Sequence, residues 1–307
     1  MKRVLVVSWS QTGQLDEVVS SVIAPLQAAE HITVEHLRLQ LCQPLPFPWP
    51  FLDFFDTFPE TVYGEPAAIQ PVTLQHGTYD LVILAYQVWF LSPSQPIMAF
   101  LNSDAARVLK NTPVMTLIVC RNMWLMAQEV MKQRLHELGA RLIDNAVLTD
   151  RAHPAATFIS TPMWLLTGRR GPFLGGWIPA AGIPPADSMA ARRFGDAIVQ
   201  QLPHRTTDDN APMLQHLRAV QVNERLIASE RVAKRSFLIW GALLRRLGKP
   251  GARQRRVVLC VYVVFLVMMI LTVVPVSAVI KRLLAPWQRE RIAQERAYFA
   301  APSGGAG

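Results

Sequence analysis

Residues Val4–Leu15 read VLVVSWSQTGQL. Val4–Val7 is an apolar run too short for a helix and rich in valine, so it predicts a buried strand. Ser8-Trp9-Ser10-Gln11-Thr12-Gly13-Gln14 follows, small or hydrogen-bonding except for Trp9. From Leu15 to about Leu26 the apolar spacing is helical. Strand, hydroxyl-rich turn and helix together suit an anion, because backbone N–H groups and hydroxyls converge at the positive end of a helix. Gly13 would let the backbone approach that anion closely. No lysine follows the turn, which excludes the nucleoside-triphosphate P-loop, and the G-x-G-x-x-G fingerprint is absent. A cradle of hydroxyls and amides suits a phosphate monoester such as that of FMN. An ordinary turn capped by Thr12 accounts for the same residues, and both readings stay open.

Outward from this stretch the pattern repeats. Ile32–Leu37, Tyr79–Leu84, Pro113–Cys120 and Arg141–Leu148 read as further strands. Helices are expected over Gln95–Leu101, with Pro96 in the first turn, and over Leu125–Leu138, stopped by Gly139. Alternation of this kind predicts an α/β fold: a five-stranded parallel sheet with helices on both faces. A ligand then lies beyond the carboxyl ends of the strands, where the strand order reverses. Three loops there are decorated: Ser8–Leu15, Ala85–Pro93 and Cys120–Trp124. Leu45–Phe58 holds Pro46, Pro48 and Pro50 and cannot be one regular helix; its aromatics either pack on the core or line a pocket. Arg151–Pro185 exceeds what such a sheet needs. It is rich in aromatics and glycine, and reads as a lid over a ligand or as a stabilising excursion. Asp187–Leu202 is expected to be the last helix of the sheet.

The carboxyl-terminal third differs in charge. Residues 1–200 hold 14 Lys and Arg against 16 Asp and Glu, a balance of −2, whereas 201–307 hold 17 against 6, a balance of +11. Within the basic part lies Val257–Ile280, uncharged and long enough to cross a bilayer. Arg253, Arg255 and Arg256 precede it and Lys281 and Arg282 follow. The heavier amino-terminal flank puts the preceding domain in the cytoplasm. Pro275 and the basic second flank leave open a kinked span or a hairpin that dips in and returns. Pro212–Val232 reads as a linker helix, Ser236–Leu247 as an interfacial helix, and Ala285–Gly307 as a charged helix with a disordered Ser-Gly-Gly end. The expected division is therefore 1–203, with the lid-like 151–185 inside it, then a 204–235 linker helix, a 236–284 anchor and a 285–307 tail. No apolar signal segment opens the chain. Cys42, Cys120 and Cys260 lack metal-ligand spacing and read as reduced thiols. The arginines bracket an apolar span and form no stripe with exposed aromatics, so nucleic acid is not an expected partner.

SQTGQ after the first strand, paired with YDLVILAYQVWFLSPSQPIMAFL, resembles flavodoxins and flavodoxin-like quinone reductases. CRNMWLMAQE, LIDNAVLTD, TPMWLLTGRRGPF, the basic apolar tail and the terminal YFAAPSG extend the likeness over nearly the whole chain. In that extent it resembles the flavodoxin-like proteins of dialkylresorcinol and flexirubin-type biosynthesis, the dialkylresorcinol condensing enzyme family. The resemblance implies bound FMN, a ketosynthase partner, and oxidation of a dialkylcyclohexanedione to the aromatic resorcinol. It implies that Ser10, Gln11, Thr12, Gly13, Gln14 and Leu15 hold phosphate. Leu15 stands where many flavodoxins have a hydroxyl, which implies weaker affinity. Gln87, Val88, Trp89 and Phe90 would face the flavin ring, and Arg121, Asn122 and Met123 would close its far edge. Core packing of Trp89 and Phe90, and an ion pair for Arg121, are the structural alternatives. Tyr86 and His153 are the candidate bases nearest that site in sequence. The expected protein is a membrane-anchored FMN-dependent oxidoreductase of the cytoplasmic face of the inner membrane. It would take a lipophilic substrate, with a single carboxyl-terminal anchor and NAD(P)H or another electron donor or acceptor. Alternatives are a membrane-surface quinone reductase or electron carrier, and a non-catalytic scaffold for a ketosynthase. A homodimer stays open.

Overall fold

The computed structural model describes residues 1–152, 154–206, 208–273, 276 and 288–304. Strands β1 (Lys2–Ser8), β2 (Ile32–Arg38), β3 (Leu81–Trp89), β5 (Pro113–Cys120) and β6 (Arg141–Thr149) form one parallel sheet. The two-residue β4 (Ser92–Pro93) folds back on the end of β3. The order is β2-β1-β3-β5-β6. Without β4 this is the 2-1-3-4-5 order of flavodoxin-like doubly wound sheets. Val4–Val7 and Leu81–Tyr86 are wholly buried, as parallel strands covered on both faces must be.

The chain leaves β1 toward β2 through α1 (Gln14–Ala28), and leaves β3 in the opposite direction through α4 (Gln95–Leu101) and α5 (Leu125–Glu137). Right-handed crossovers therefore put α1 on one face and α4 and α5 on the other. In doubly wound sheets the ligand lies at such a reversal, here beside the loops after β1 and β3. The expected last helix is two: α7 (Pro185–Ala190) and α8 (Arg192–Gln201), with α8 packed on α1. The contact is close at Gly195, where a Cβ would collide with the Val22 carbonyl oxygen.

Leu45–Phe58 is irregular only as far as Pro50. The short helices α2 (Phe51–Asp56) and α3 (Phe58–Val62) follow, each opened by a proline at or near its first position. Arg151–Pro185 contains α6 (Pro154–Thr167), whose Leu165 carbonyl accepts a hydrogen bond from Trp49 N at 2.9 Å.

In the carboxyl-terminal third two expectations change and one is met. The separate linker and interfacial helices are one helix, α9 (Glu224–Arg246), running unbroken through the boundary expected at 235/236, whereas 212–223 is not helical. The apolar run lies in α10 (Arg253–Leu271), and Arg253–Val273 is long and apolar enough to cross a membrane. Beyond Val273 only Val276 of the run is described; Pro275 and the others lie outside the described residues. The terminal segment is not a loose end as far as Gly304. Helix α11 (Arg289–Ala300) carries Phe299 into the core, and Ser303 is buried beside β6. There the Ser303 hydroxyl donates to Asp144 Oδ1 at 2.8 Å and accepts from Asn145 N at 2.6 Å.

A second, aromatic core joins α10 to the domain. Phe58, Val62, Leu244, Leu259 and Tyr262 are buried there, with Phe55, Phe90, Phe237 and Trp240 packed around them. Phe58 and Tyr262 stack at 4.7 Å. Arg255 is fully enclosed and donates to Asp56 Oδ1 at 2.7 Å and to both oxygens of Glu60 at 2.7 and 2.6 Å. Each charge of this triad is paired, which is what burial demands.

Candidate functional site

The turn after β1 ends at Gly13, the N-cap of α1, with φ 80° and no side-chain cap. The capping bond from Thr12, which an ordinary turn would use, is not made. The first N–H groups of α1 have no intrahelical partner by geometry. A Cβ on Gly13 would meet nothing within 4 Å, so the space beside the turn is open. Ser10 Oγ and Gln11 Oε1 are shut off from solvent and have no hydrogen-bond partner among the described residues. Buried polar atoms are seldom left so.

The other proposed cradle residues divide. Leu15 is wholly buried in the main core, so only its backbone faces the turn. The Gln14 side chain is turned to the lid-like segment, its Nε2 donating to the Ile183 carbonyl at 3.2 Å. Gln11 N donates to Gln87 Oε1 at 3.2 Å, joining the first loop to the end of β3, and Gln11 Nε2 donates to the Pro46 carbonyl at 3.1 Å. Asp16, in the first turn of α1, has its carboxyl pushed up by burial, with Arg38 pulling the other way.

Tryptophans crowd the same rim. The ring centroids of Trp9 and Trp89 stand 5.6 Å apart, and those of Trp49 and Trp89 6.3 Å, both edge to face. Trp49 is 3% exposed and its indole nitrogen has no partner among the described residues. β3 turns back through Phe90 (φ 48°) and Leu91 (φ 57°), a two-residue hairpin in the left-handed region with no glycine. Such strain persists only where the surroundings hold it. Here Lys234 of α9 holds it: Nζ donates to Ser92 Oγ at 2.6 Å and to the Leu91 and Val62 carbonyls at 3.3 and 3.4 Å. No acid pairs with this ammonium in those contacts, and burial pulls its pKa down to about 8. Phe90 does not share the rim with Trp89. Its ring joins the second core against Phe54, Phe58 and Phe237.

In the loop after β5, Asn122 and Met123 are half-buried. Arg121 Nε donates to Thr157 Oγ1 at 3.0 Å, and its guanidinium lies 3.9 Å over the Phe158 ring, so this loop clasps α6. Burial brings the Arg121 pKa down to about 10, against the opposing charge of Asp150. Asp150 ties down both ends of the lid-like segment, its Oδ1 and Oδ2 accepting from Ala152 N and Gly182 N at 2.8 Å each. The tip of that segment leaves Trp177 90% exposed.

Tyr86 is corrected as a base. It is fully buried, its hydroxyl donates to Gln128 Oε1 at 2.6 Å, and burial raises its pKa well above the ordinary phenol value. Strand alternation sets it on the face opposite Gln87. His153 lies outside the described residues. A buried acid does stand behind the loop after β5, on α9. Glu230 Oε2 accepts from Met126 N at 3.0 Å at the start of α5, while Oε1 has no partner among the described residues. Burial raises its pKa to about 7, and the N–H groups of Met126, Leu125 and Trp124 act against that rise. Glu230, Lys234 and Asp150 carry no signal of their own in the sequence. Glu230 and Lys234, four apart on a polar helix, look like a solvent-exposed pair.

These residues can hold an oxyanion at the α1 terminus beside indole rings, with the Trp49 indole nitrogen and the Gln11 amide oxygen buried and without a partner among the described residues. A cavity of about 630 Å³ opens elsewhere, at the outer edge of β6, lined by Arg151, Arg193, His216 and Arg218.

No family model matches the chain, and no curated protein does. Solved structures do. A flavoprotein in complex with FMN from Lactobacillus acidophilus is 14% identical with TM-score 0.39, over 48% of this chain and 93% of that one. An archaeal flavodoxin is 10% identical with TM-score 0.38, over 66% and 100%. A flavodoxin, WrbA-like protein from Agrobacterium tumefaciens is 8% identical with TM-score 0.37, over 67% and 100%.

Proposed function

We propose that the chain is an FMN-dependent oxidoreductase working at a membrane surface on a lipophilic substrate. The observation that carries this is the uncapped α1 terminus, with Ser10 Oγ and Gln11 Oε1 buried and unpartnered beside open space at Gly13. A phosphate monoester supplies the acceptors that this terminus and the hydroxyls of Ser10 and Thr12 lack. The Gln11 N–H, now held by Gln87 Oε1, would turn to the anion. Trp9 and Trp89 would flank the ring, with the buried Trp49 packed against Trp89. Asn122 and Met123 would border its edge, and Arg121 ties this loop to Thr157 and Phe158 of α6. When bound, FMN accepts a hydride.

The likeness of the whole chain to the dialkylresorcinol group supports a dialkylcyclohexane-1,3-dione as substrate. Aromatisation removes one hydride and one proton from the ring. The two carbonyls make that proton acidic, so a weak base or water suffices, in keeping with a rim where Tyr86 is not available. The apolar α10 and its basic flanks support attachment to the cytoplasmic side of a membrane, where a substrate with two alkyl chains resides.

Anaerobic mixing tests the reaction. Full-length protein loaded with FMN is expected to lose its visible flavin band on addition of a dialkylcyclohexane-1,3-dione and to release a product two hydrogens lighter. A band bleached by NAD(P)H and restored by quinones, yet untouched by the dione, would replace this reading with a quinone reductase. A band that responds to neither would leave a scaffold for a ketosynthase.

A further inference from the structure

Helix α10 has two opposed faces. Arg255, Leu259 and Tyr262, spaced by four and three, are buried against α2, α3 and α9. Val257, Val261, Val264, Met268 and Leu271 have the same spacing on the other side and are 54–67% exposed. The docked face reaches Leu266, so the first 14 residues, about 20 Å at ~1.5 Å per residue, run along the domain. The amino end of the helix is pinned by the Arg255 triad, which sits inside the domain.

The chain beyond the apolar run is fixed to the same body. Glu295 pairs with Arg231 at 2.6 Å, Arg296 with Glu224 at 3.2 Å, and the Tyr298 hydroxyl donates to Glu129 Oε2 at 2.8 Å. Phe299 is in the main core, and Ser303 bonds Asp144 and Asn145 of β6. A crossing would carry α11 to the far side of roughly 30 Å of hydrocarbon. Every one of these contacts would be lost, and the buried Asp144 carboxylate would lose the Ser303 donor.

We infer that α10 is a monotopic element, its outer stripe immersed in one leaflet, with both ends of the chain on the same side of the membrane. Arg245, Arg246, Lys249, Arg253 and Arg256 are exposed at the turn between α9 and α10; Arg245 pairs with Glu65 and Arg256 with Asp53 at 3.1 Å, and Arg246, Lys249 and Arg253 face anionic headgroups. The stripe spacing would also suit a second copy of the helix. The basic turn instead favours lipid, because two copies would bring like charges together. This inference rests on the membrane part of the function proposed above and replaces the single crossing anchor with an in-plane one.

Full-length protein carrying a different epitope tag at each end is added from detergent to preformed sealed vesicles. One set is of phosphatidylcholine alone and one contains phosphatidylglycerol; both are floated and treated with protease. Flotation with the phosphatidylglycerol vesicles, at least tenfold more than with the neutral ones, and digestion of both tags are expected. The doubly substituted Val261→Asp, Val264→Asp protein, altered only at exposed positions, is expected to lose at least tenfold of its vesicle-bound fraction while keeping its circular dichroism. One tag protected on floating protein would overturn the monotopic arrangement and leave membrane attachment standing. Equal flotation with both vesicle types would overturn the headgroup contact. Protein that stays with neither, and sediments as a dimer through α10, would remove the membrane reading itself.

Discussion

Glu230 shows how one carboxyl links a helix terminus to acidity. Its pKa of about 7 lies above the ordinary carboxylate value of 4.5 because burial penalises the charged form. The folded protein therefore binds a proton there that the unfolded chain has released. Stability from this group is full below about pH 4.5 and falls as the pH rises through about 7, by about 3 kcal/mol in all. Glu230→Gln should flatten that fall. Urea midpoints at about pH 5 and about pH 8 should differ less in the variant than in the parent, and equal differences would refute the assignment. The turn between β1 and α1 was legible because Ser10 to Gly13 combine hydroxyls, amides and a glycine immediately after an apolar run. Tyr86 was misread by counting sequence distance to the motif. Alternation along β3 puts its side chain with Gln128 and Thr116, away from Gln87. Phe90 was misread for a related reason: the chain turns there, and its neighbour Trp89 faces the other way.

Among the elements, the parallel strands were legible because each is a short apolar run bounded by polar residues. The end of β3 was not. Gln87–Trp89 extends the strand into a hairpin whose two turn residues, Phe90 and Leu91, have positive φ without the Asn or Gly that announces such turns. Lys234, more than 140 residues away, supplies the support, and no local pattern reveals it. The split of the last helix and the continuity of α9 are equally a matter of packing. Gly195 illustrates how tight that packing is on α1. Gly195→Ala should cost at least about 1–3 kcal/mol, the range for overpacked sites, because the obstacle is the Val22 backbone and has little freedom to move. Thermal unfolding of the purified variant measures this, and an unchanged midpoint would contradict the close α1–α8 approach.

At the scale of the molecule, length and composition marked the apolar helix, whereas the main core takes in Met213, Leu214, Val220 and Ile227 beyond the change of charge at residue 200. That the tail returns was not legible, since Ala-Pro-Ser-Gly-Gly has the composition of a loose end. Its order comes from Asp144, which takes hydrogen bonds from Met213 N at 2.8 Å, Leu214 N at 3.1 Å and the Ser303 hydroxyl. Ser303→Ala removes a donor to a buried carboxylate and an acceptor for Asn145 N. A loss of about 1–3 kcal/mol in urea unfolding is expected, against no loss if the tail is free in solution. The rim where the sheet reverses is the centre of the proposed function, and binding of FMN there tests it most directly. Purified full-length protein, titrated with FMN and followed by quenching of flavin fluorescence, should bind one equivalent. Ser10→Ala should weaken that binding by about tenfold, as loss of about 1.4 kcal/mol from one phosphate hydrogen bond requires. Fluorescence that stays unquenched at saturating protein, with the parent and the variant alike, would contradict a flavin site at this rim.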